Sequence, residues 1–121
     1  MNDMKKLICV IFGLMLSFHT LAASFDCSKA ASYVEIEICK DELLGRLDDA
    51  LHENYISMMA SNFGGTEKSL MLEQRRWLKI RNSCKSKKCI ESSYRLRLNE
   101  TCEYGVISGV HPLCTMGDEL K

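Results

Sequence analysis

The chain has 121 residues with 16 basic and 16 acidic side chains, so its formal net charge is zero, and it holds seven cysteines and a single proline. This length is enough for one domain with a modest core. The balanced charge speaks against nucleic acid as a ligand, because domains that bind DNA or RNA carry a net basic surface.

Residues 1–22 show the three zones of a secretory signal peptide. Lys5 and Lys6 give a positive start, and residues 7–18 form an apolar run that is too short for a comfortable membrane span. Ala22 is the small residue that signal peptidase needs, so we expect cleavage after it and a periplasmic location. A retained single-pass anchor is the alternative, but no strong stop-transfer charge follows the run.

Cleavage after Ala23 is a near alternative. Cys9 lies inside the apolar run and would be lost with it. A lipid anchor is not expected, since Cys27 is preceded by Phe25 and Asp26 rather than by the small residues of a lipoprotein signal. We therefore expect no membrane anchor after signal cleavage.

The mature sequence predicts an all-α fold, a small disulfide-stapled helical hairpin or bundle of three to four helices with an irregular C-terminal tail. A short helix is predicted over residues 33–39. Asp41 is a typical N-cap for the next helix, and Glu42 lies in its first turn, where the helix dipole favours an acid. Apolar residues then recur at helical spacing on one face: Leu44, Leu47, Leu51, Tyr55 and Met58.

Residues 62–65 (Asn-Phe-Gly-Gly) predict a turn, and Thr66 is placed to cap a third helix. The apolar stripe predicted for that helix consists of Leu70, Trp77, Ile80 and Cys84. A basic loop over residues 85–88 precedes a last helix, whose apolar positions are Ile90, Tyr94 and Leu98. In the tail, the residues that interrupt the helix or indicate extended structure are Gly105, Gly109, Val106, Ile107 and Val110.

Charge divides the mature chain into three segments. Residues 23–67 carry −6, residues 68–98 carry +8 and residues 99–121 carry −3. Because the linker between the acidic helix and the basic helix is short, we expect these two helices to pack antiparallel, with attraction across the seam. Exposed ion pairs contribute only about 0–1 kcal/mol each, so the charges orient the helices more than they stabilise them.

The even set of cysteines behind the leader predicts a disulfide framework formed in an oxidising compartment. The cysteines fall into local pairs: Cys27 with Cys39, Cys84 with Cys89, and Cys102 with Cys114. Sequence alone does not choose among the possible pairings. We favour the local pairs because each one brackets a turn or a short segment. A crossed arrangement that ties the first segment to the basic helix stays open.

The order of these motifs resembles the LprI-like lysozyme-inhibitor domain. The first stretch runs over residues 25–30 (Phe-Asp-Cys-Ser-Lys-Ala) and continues with Glu35, Ile38, Cys39, Leu47, Asp48, Leu51 and Tyr55. The second runs over residues 73–78 (Glu-Gln-Arg-Arg-Trp-Leu) and continues with Arg81, Cys84, Cys89, Tyr94 and Arg97. The resemblance covers the chain from about residue 25 to residue 98 and leaves the tail outside.

The resemblance implies a small, secreted, mostly helical bacterial domain with disulfides, and it implies inhibition of lysozyme. We divide the chain accordingly into a signal peptide (residues 1–22), an LprI-like helical domain (residues 23–100) and a disulfide-closed C-terminal extension (residues 101–121). The member that names the family is a lipoprotein, whereas this chain lacks the lipoprotein signal. The resemblance assigns no inhibitory residues.

A first candidate partner-binding site is the loop closed by Cys84 and Cys89, which would present Lys85, Ser86, Lys87 and Lys88 on a rigid knuckle. Retaining lysozymes place two carboxyl groups close together in a cleft, and a rigid cationic loop could pair with them. The alternative is a solvated basic turn that neutralises a helix C-terminus.

A second candidate is an acidic stripe formed by Glu42, Asp49 and Glu53 on the second helix. Many lysozymes are cationic, so such a stripe would speed their encounter and add salt-sensitive affinity. The alternative is an ordinary solvated helix face.

A third group has a structural interpretation. Trp77 lies on the apolar stripe and is predicted to anchor the core, while Asp48 is expected to pair with Arg75 or Arg81 across the hairpin. An exposed Trp–Arg pair that stacks on a sugar is the alternative.

Catalysis finds little support in the sequence. It contains no HExxH motif, no nucleophile elbow and no glycine-rich phosphate loop, and the cysteines lack both redox spacing and a companion histidine cluster. We therefore expect a non-enzymatic protein without cofactor or metal.

The sequence and the resemblance together predict a periplasmic domain that binds a protein, with a lysozyme or another muramidase as the expected partner. The alternatives are an immunity protein against a wall-degrading toxin and a non-inhibitory accessory protein of the cell envelope.

Overall fold

The computed structural model describes residues 24–61, 66–104 and 113–121. The predicted signal peptide with Cys9, the predicted turn at residues 62–65 and the predicted extended segment between Gly105 and Val110 lie outside these residues.

The described chain is all-helical. A single 3-10 turn, Cys27–Lys29, is followed by α1 (Tyr33–Lys40), α2 (Glu42–Ser61), α3 (Glu67–Asn82) and α4 (Lys87–Glu103). Residues 113–121 form an irregular tail. The predicted fold class, a small helical bundle stapled by disulfides, is confirmed.

Each helix begins at a side chain that accepts a backbone N–H of its first turn. In α1, Ser32 and Glu35 form a capping box. Asp41 accepts from the Leu44 N–H at 3.1 Å, and Thr66 caps α3, as the sequence predicts.

The last helix begins earlier than predicted, because Ser86 accepts from the Cys89 N–H and so caps α4. Lys87 and Lys88 therefore belong to the first turn of α4 rather than to a loop. The helix also continues to Glu103, past the predicted domain boundary at residue 100.

The main packing contact joins α2 to α4. Asp48 on α2 accepts from Tyr94 on α4, and further along both helices Asn54 donates to Thr101. The contacts advance together along the two helices, so α2 and α4 run in the same direction.

The antiparallel hairpin is formed by α3 and α4. Gln74 of α3 pairs with Arg97 of α4, whereas Arg81, further along α3, pairs with Tyr94, earlier on α4. The expected packing of the acidic helix α2 along the basic helix α3 is therefore wrong: α2 and α3 each pack along α4 instead. α2 contacts α3 through the side chains of Asp48 and Arg81. The reason is that α4 buries a broader face than α3 does.

The buried core draws on all four α-helices. It consists of Val34, Ile38, Leu44, Leu47, Leu51, Trp77, Cys84, Ile90, Tyr94 and Leu98. Ile80, predicted on the buried stripe, is 64% exposed. Arg81 lies four residues after Trp77 and therefore on the same face of α3. Arg81, which is only 6% exposed, occupies the buried position that was predicted for Ile80.

The disulfides join the three local pairs that we favoured: Cys27 with Cys39, Cys84 with Cys89, and Cys102 with Cys114. The first ties the N-terminal segment to α1, the second closes the α3–α4 connection, and the third ties the tail to α4. The crossed arrangement is excluded. No helix among the described residues is long and apolar enough to cross a membrane.

The tail docks on α2 and α4 through its backbone. The Asn54 amide both donates to the Thr115 carbonyl at 2.8 Å and accepts from the Thr115 N–H at 2.9 Å. The Arg95 guanidinium donates to the carbonyls of Gly117 and Leu120. The irregular tail is therefore part of the folded domain.

At Gly117 the backbone of the tail lies directly against the backbone of α4. A Cβ at this residue would lie 2.2 Å from the Arg95 carbonyl oxygen. We expect Gly117→Ala to displace the tail and to lower the free energy of unfolding by about 1–3 kcal/mol, because α4 cannot yield at that point. Denaturant titration checks the loss, and hydrogen exchange at the Thr115 amide, which should accelerate, locates it.

Asp118→Ala is the matched control for that substitution, since Asp118 is the next residue and is exposed. It should leave both measurements unchanged. An alanine at residue 117 that leaves the Thr115 amide as protected as before would show that the tail does not depend on this close approach.

Candidate functional site

The centre of the bundle contains a buried polar network. The Tyr94 hydroxyl donates to Asp48 Oδ1 at 2.7 Å and accepts from Arg81 Nη1 at 2.9 Å. Arg81 Nη1 also lies 3.7 Å from Asp48 Oδ1, and both side chains are almost fully buried. The backbone N–H of Ser24 donates to the second oxygen, Oδ2, at 2.6 Å. Opposite charges and a shared hydroxyl therefore connect α2, α3 and α4.

Trp77 closes this network on one side. Its ring meets Tyr94 edge-on at 5.2 Å between centroids, and the Arg81 guanidinium lies 5.6 Å from the Trp77 centroid. The indole N–H donates to the Ser93 carbonyl at 3.2 Å. Arg75, the other arginine considered as a partner for Asp48, is exposed on α3. Trp77 is therefore enclosed in the core rather than presented to a sugar.

The environment of Tyr94 in this network fixes the protonation state of its hydroxyl. Burial, and after it the negative charge of Asp48, raises the pKa of the Tyr94 hydroxyl far above its ordinary value. The hydroxyl therefore stays protonated and donates to Asp48 across the physiological range. Because the members of this network are enclosed and paired with one another, the network holds the helices together. A binding partner would therefore contact the surface of the bundle.

The acidic stripe lies on the outer face of α2. Glu42, Asp49 and Glu53 are spaced seven and four residues apart, which places them on one side of the helix. Glu42 and Glu53 are exposed and Asp49 is partly buried. Burial raises the pKa of Asp49, and the carboxylates of Asp48 and Glu53 add to this shift.

Arg46 lies on the same side of α2 and would interrupt the stripe. Its guanidinium instead donates to the carbonyl of Lys121 at 2.5 Å. The docked tail thus provides Arg46 with a partner, and the acidic side chains around it stay available to a cationic surface.

The basic knuckle divides into a paired part and a free part. Lys87 Nζ lies 3.3 Å from Asp41 and 3.6 Å from Glu37, and the Asp41 contact raises the pKa of Lys87. Ser86 is occupied as the cap of α4. Lys85 and Lys88 are exposed. The structure therefore leaves two of the three predicted lysines available to a partner.

The described part of the chain contains no cluster of histidine, cysteine, aspartate and glutamate side chains that could hold a metal ion. A cleft of about 430 Å³ lies between the N-terminal segment and α3, lined by Ser24, Phe25, Asp26, Lys29, Glu35, Leu78 and Arg81. Both signs of charge line it, so the cleft favours no single class of small ligand.

The sequence did not predict the structural contacts of three residues. Tyr94 was predicted as an apolar core residue, yet its hydroxyl is the centre of the network. Asn54 and Arg95 hold the tail, and neither was singled out. Asn54 follows Leu47 and Leu51 at helical spacing, so the sequence places it on the buried face of α2. A buried amide needs hydrogen-bond partners, and this requirement could have indicated a contact at Asn54.

Comparison of the chain with protein-family models, with curated proteins and with solved structures finds no match. The resemblance to the LprI-like domain therefore stays a prediction that rests on the quoted motifs.

Proposed function

We propose that the protein is an LprI-like periplasmic domain without catalytic activity of its own, and that it binds and inhibits a lysozyme or a related cationic muramidase. The observation that carries the proposal is the acidic stripe of Glu42, Asp49 and Glu53 on the outer face of α2. The resemblance of the motifs supports the target class, and the stapled helical fold supports a rigid binding surface.

Electrostatic complementarity is the physical basis of this binding. A negative stripe on a rigid helix steers a cationic protein into encounter and fixes its orientation. Because α2 is held by the buried network and the docked tail, little order has to be gained on binding, which lowers the entropic cost of association.

Lys85 and Lys88 of the basic knuckle support a second contact with the same target. Lys85 and Lys88 lie beside the Cys84–Cys89 disulfide, which limits their backbone freedom. They retain the chemistry needed to approach a carboxylate pair in a muramidase cleft. Lys87 contributes less to such a contact, since it already faces Asp41 and Glu37.

The decisive experiment titrates the purified oxidised protein against c-, g- and i-type lysozymes in a lysis assay. We expect Glu42→Lys with Glu53→Lys to raise the inhibition constant by about tenfold at low salt, because two favourable charge contacts become repulsive. The matched control, Glu73→Lys with Glu103→Lys, changes the net charge equally at exposed acids elsewhere and should leave inhibition intact.

An inhibition constant that does not change between low and high ionic strength would exclude the acidic stripe as the contact. Absence of inhibition across the whole panel would remove lysozyme as the target. Protection against a wall-degrading toxin would then indicate an immunity protein, and capture of envelope machinery without an effect on lysis would indicate an accessory protein.

A further inference from the structure

The outer face of α3 carries a concentration of positive charge. Lys68, Arg75 and Lys79 are spaced seven and four residues apart on one side of the helix. Arg76 lies beside them on the same helix. All four side chains are exposed, and none of them takes part in an ion pair among the described residues. We name these four residues the basic face.

Apolar side chains are exposed among these cations. Leu72, which shares the side of Lys68 and Lys79, is 44% exposed, and Ile80, next to Arg76 on the helix, is 64% exposed. Isolated exposed apolar residues are ordinary on a protein surface. Here they lie within a cationic helix face, which is the pattern of a helix that rests on a lipid interface.

The acidic stripe and the basic face point in different directions. On α2 and on α3 these residues lie opposite the buried positions of their own helix, and both helices pack on α4, so each face is turned outward on a different helix. The near-neutral chain is therefore electrically polarised, and a surface that attracts one face repels the other.

We propose that the basic face of α3 adsorbs reversibly to an anionic phospholipid bilayer and leaves the acidic stripe of α2 facing away from the membrane. Each lysine or arginine near such a surface raises the binding constant by about fivefold, so four of them together give an increase of about six-hundredfold. Leu72 and Ile80 add apolar contact at the level of the headgroups. Adsorption of this kind needs no anchor.

A second copy of the chain is the competing occupant. The acidic stripe has the same spacing as Lys68, Arg75 and Lys79, so three opposite charges could align between two copies. Three exposed ion pairs raise an association constant by about a hundredfold at most, which does not offset the loss of translational and rotational freedom. The long, flexible side chains of the basic face match the many mobile charges of a bilayer better than three fixed carboxylates.

The test is co-sedimentation of the exported, disulfide-bonded protein with lipid vesicles. We expect binding to vesicles of phosphatidylcholine with about a third phosphatidylglycerol, no binding to pure phosphatidylcholine, and release by added salt. Lys68→Glu with Arg75→Glu should weaken the binding by at least about 25-fold. The matched control, Lys40→Glu with Lys121→Glu, makes the same change in net charge at exposed residues outside α3 and should bind as before.

The Leu72→Ser variant separates a bilayer from a soluble polyanion. It should weaken binding to anionic vesicles and leave binding to polyglutamate unchanged. Equal binding to neutral and anionic vesicles, equal losses in the α3 variant and its control, or tighter binding to polyglutamate than to the vesicles would overturn the proposal. A dimer in sedimentation velocity that disappears in the Lys68→Glu, Arg75→Glu variant would assign the face to a second copy instead.

Discussion

Replacement of Asp48 by alanine is expected to lower the free energy of unfolding by about 3–5 kcal/mol, because it breaks a buried ion pair from one side. Arg81 would keep its charge at 6% exposure without the carboxylate that faces it. The Tyr94 hydroxyl would lose its acceptor at 2.7 Å, and the Ser24 N–H would lose its own. The Tyr94 hydroxyl is buried, so the loss of its acceptor adds to the cost.

Denaturant titration of the oxidised protein measures this loss. Asp49→Ala is the matched control, since the neighbouring carboxylate lies on the outer side of α2, and its substitution should change the free energy of unfolding by less than about 0.5 kcal/mol. A double-mutant cycle of Asp48 and Arg81 then isolates their coupling. If Asp48→Ala proves as stable as Asp49→Ala, the network does not hold the helices together.

The local elements of this fold could be predicted because their signals lie close together in the chain. Asp41 and Thr66 indicate where helices start, because capping requires only a short polar side chain before an apolar repeat. The disulfide between Cys84 and Cys89 closes a single turn. Such features are decided within a few residues and owe little to the rest of the molecule.

The helix pairing could not be predicted in the same way. The contact between Asp48 and Tyr94 joins residues 46 positions apart, and nothing near Tyr94 distinguishes its hydroxyl from that of an ordinary core tyrosine. Charge segregation suggested that α2 would lie along α3. Apolar burial is the larger energy, however, and it assigned that place to α4.

The candidate site was predictable in position but not in pairing. The acidic stripe on α2 follows from helical periodicity, and the structure places its members on one side of the helix. The partners of Arg46 and Lys87 come from the distant tail and from α1 with the start of α2. Which charged side chains are free for a partner is therefore a tertiary property. Contacts with Glu37 and Asp41 occupy Lys87, and partial burial limits the access of a partner to Asp49.

Removal of the Cys102–Cys114 disulfide, with both residues changed to alanine, is expected to lower the free energy of unfolding by about 3 kcal/mol. The bond closes a loop with a sequence separation of 12 residues, and on the chain-entropy model a loop of that size stabilises by about this amount. The backbone contacts of the tail with Asn54 and Arg95 would then have to hold without a covalent tie.

Hydrogen exchange at two backbone amides measures whether the tail is released from α2 and α4. The Thr115 N–H donates to Asn54 and the Gly117 N–H donates to Asn99, so their hydrogen exchange should accelerate while the amides of α3 keep their relative order of protection. The Cys84→Ala, Cys89→Ala variant is the comparison, because its bond closes a shorter loop, with a separation of 5, and is expected to cost about 2 kcal/mol with the tail still docked. Unchanged exchange at Thr115 in the Cys102→Ala, Cys114→Ala variant would mean that side-chain contacts alone keep the tail in place. Arg46 would then retain its partner at Lys121 even in reducing conditions.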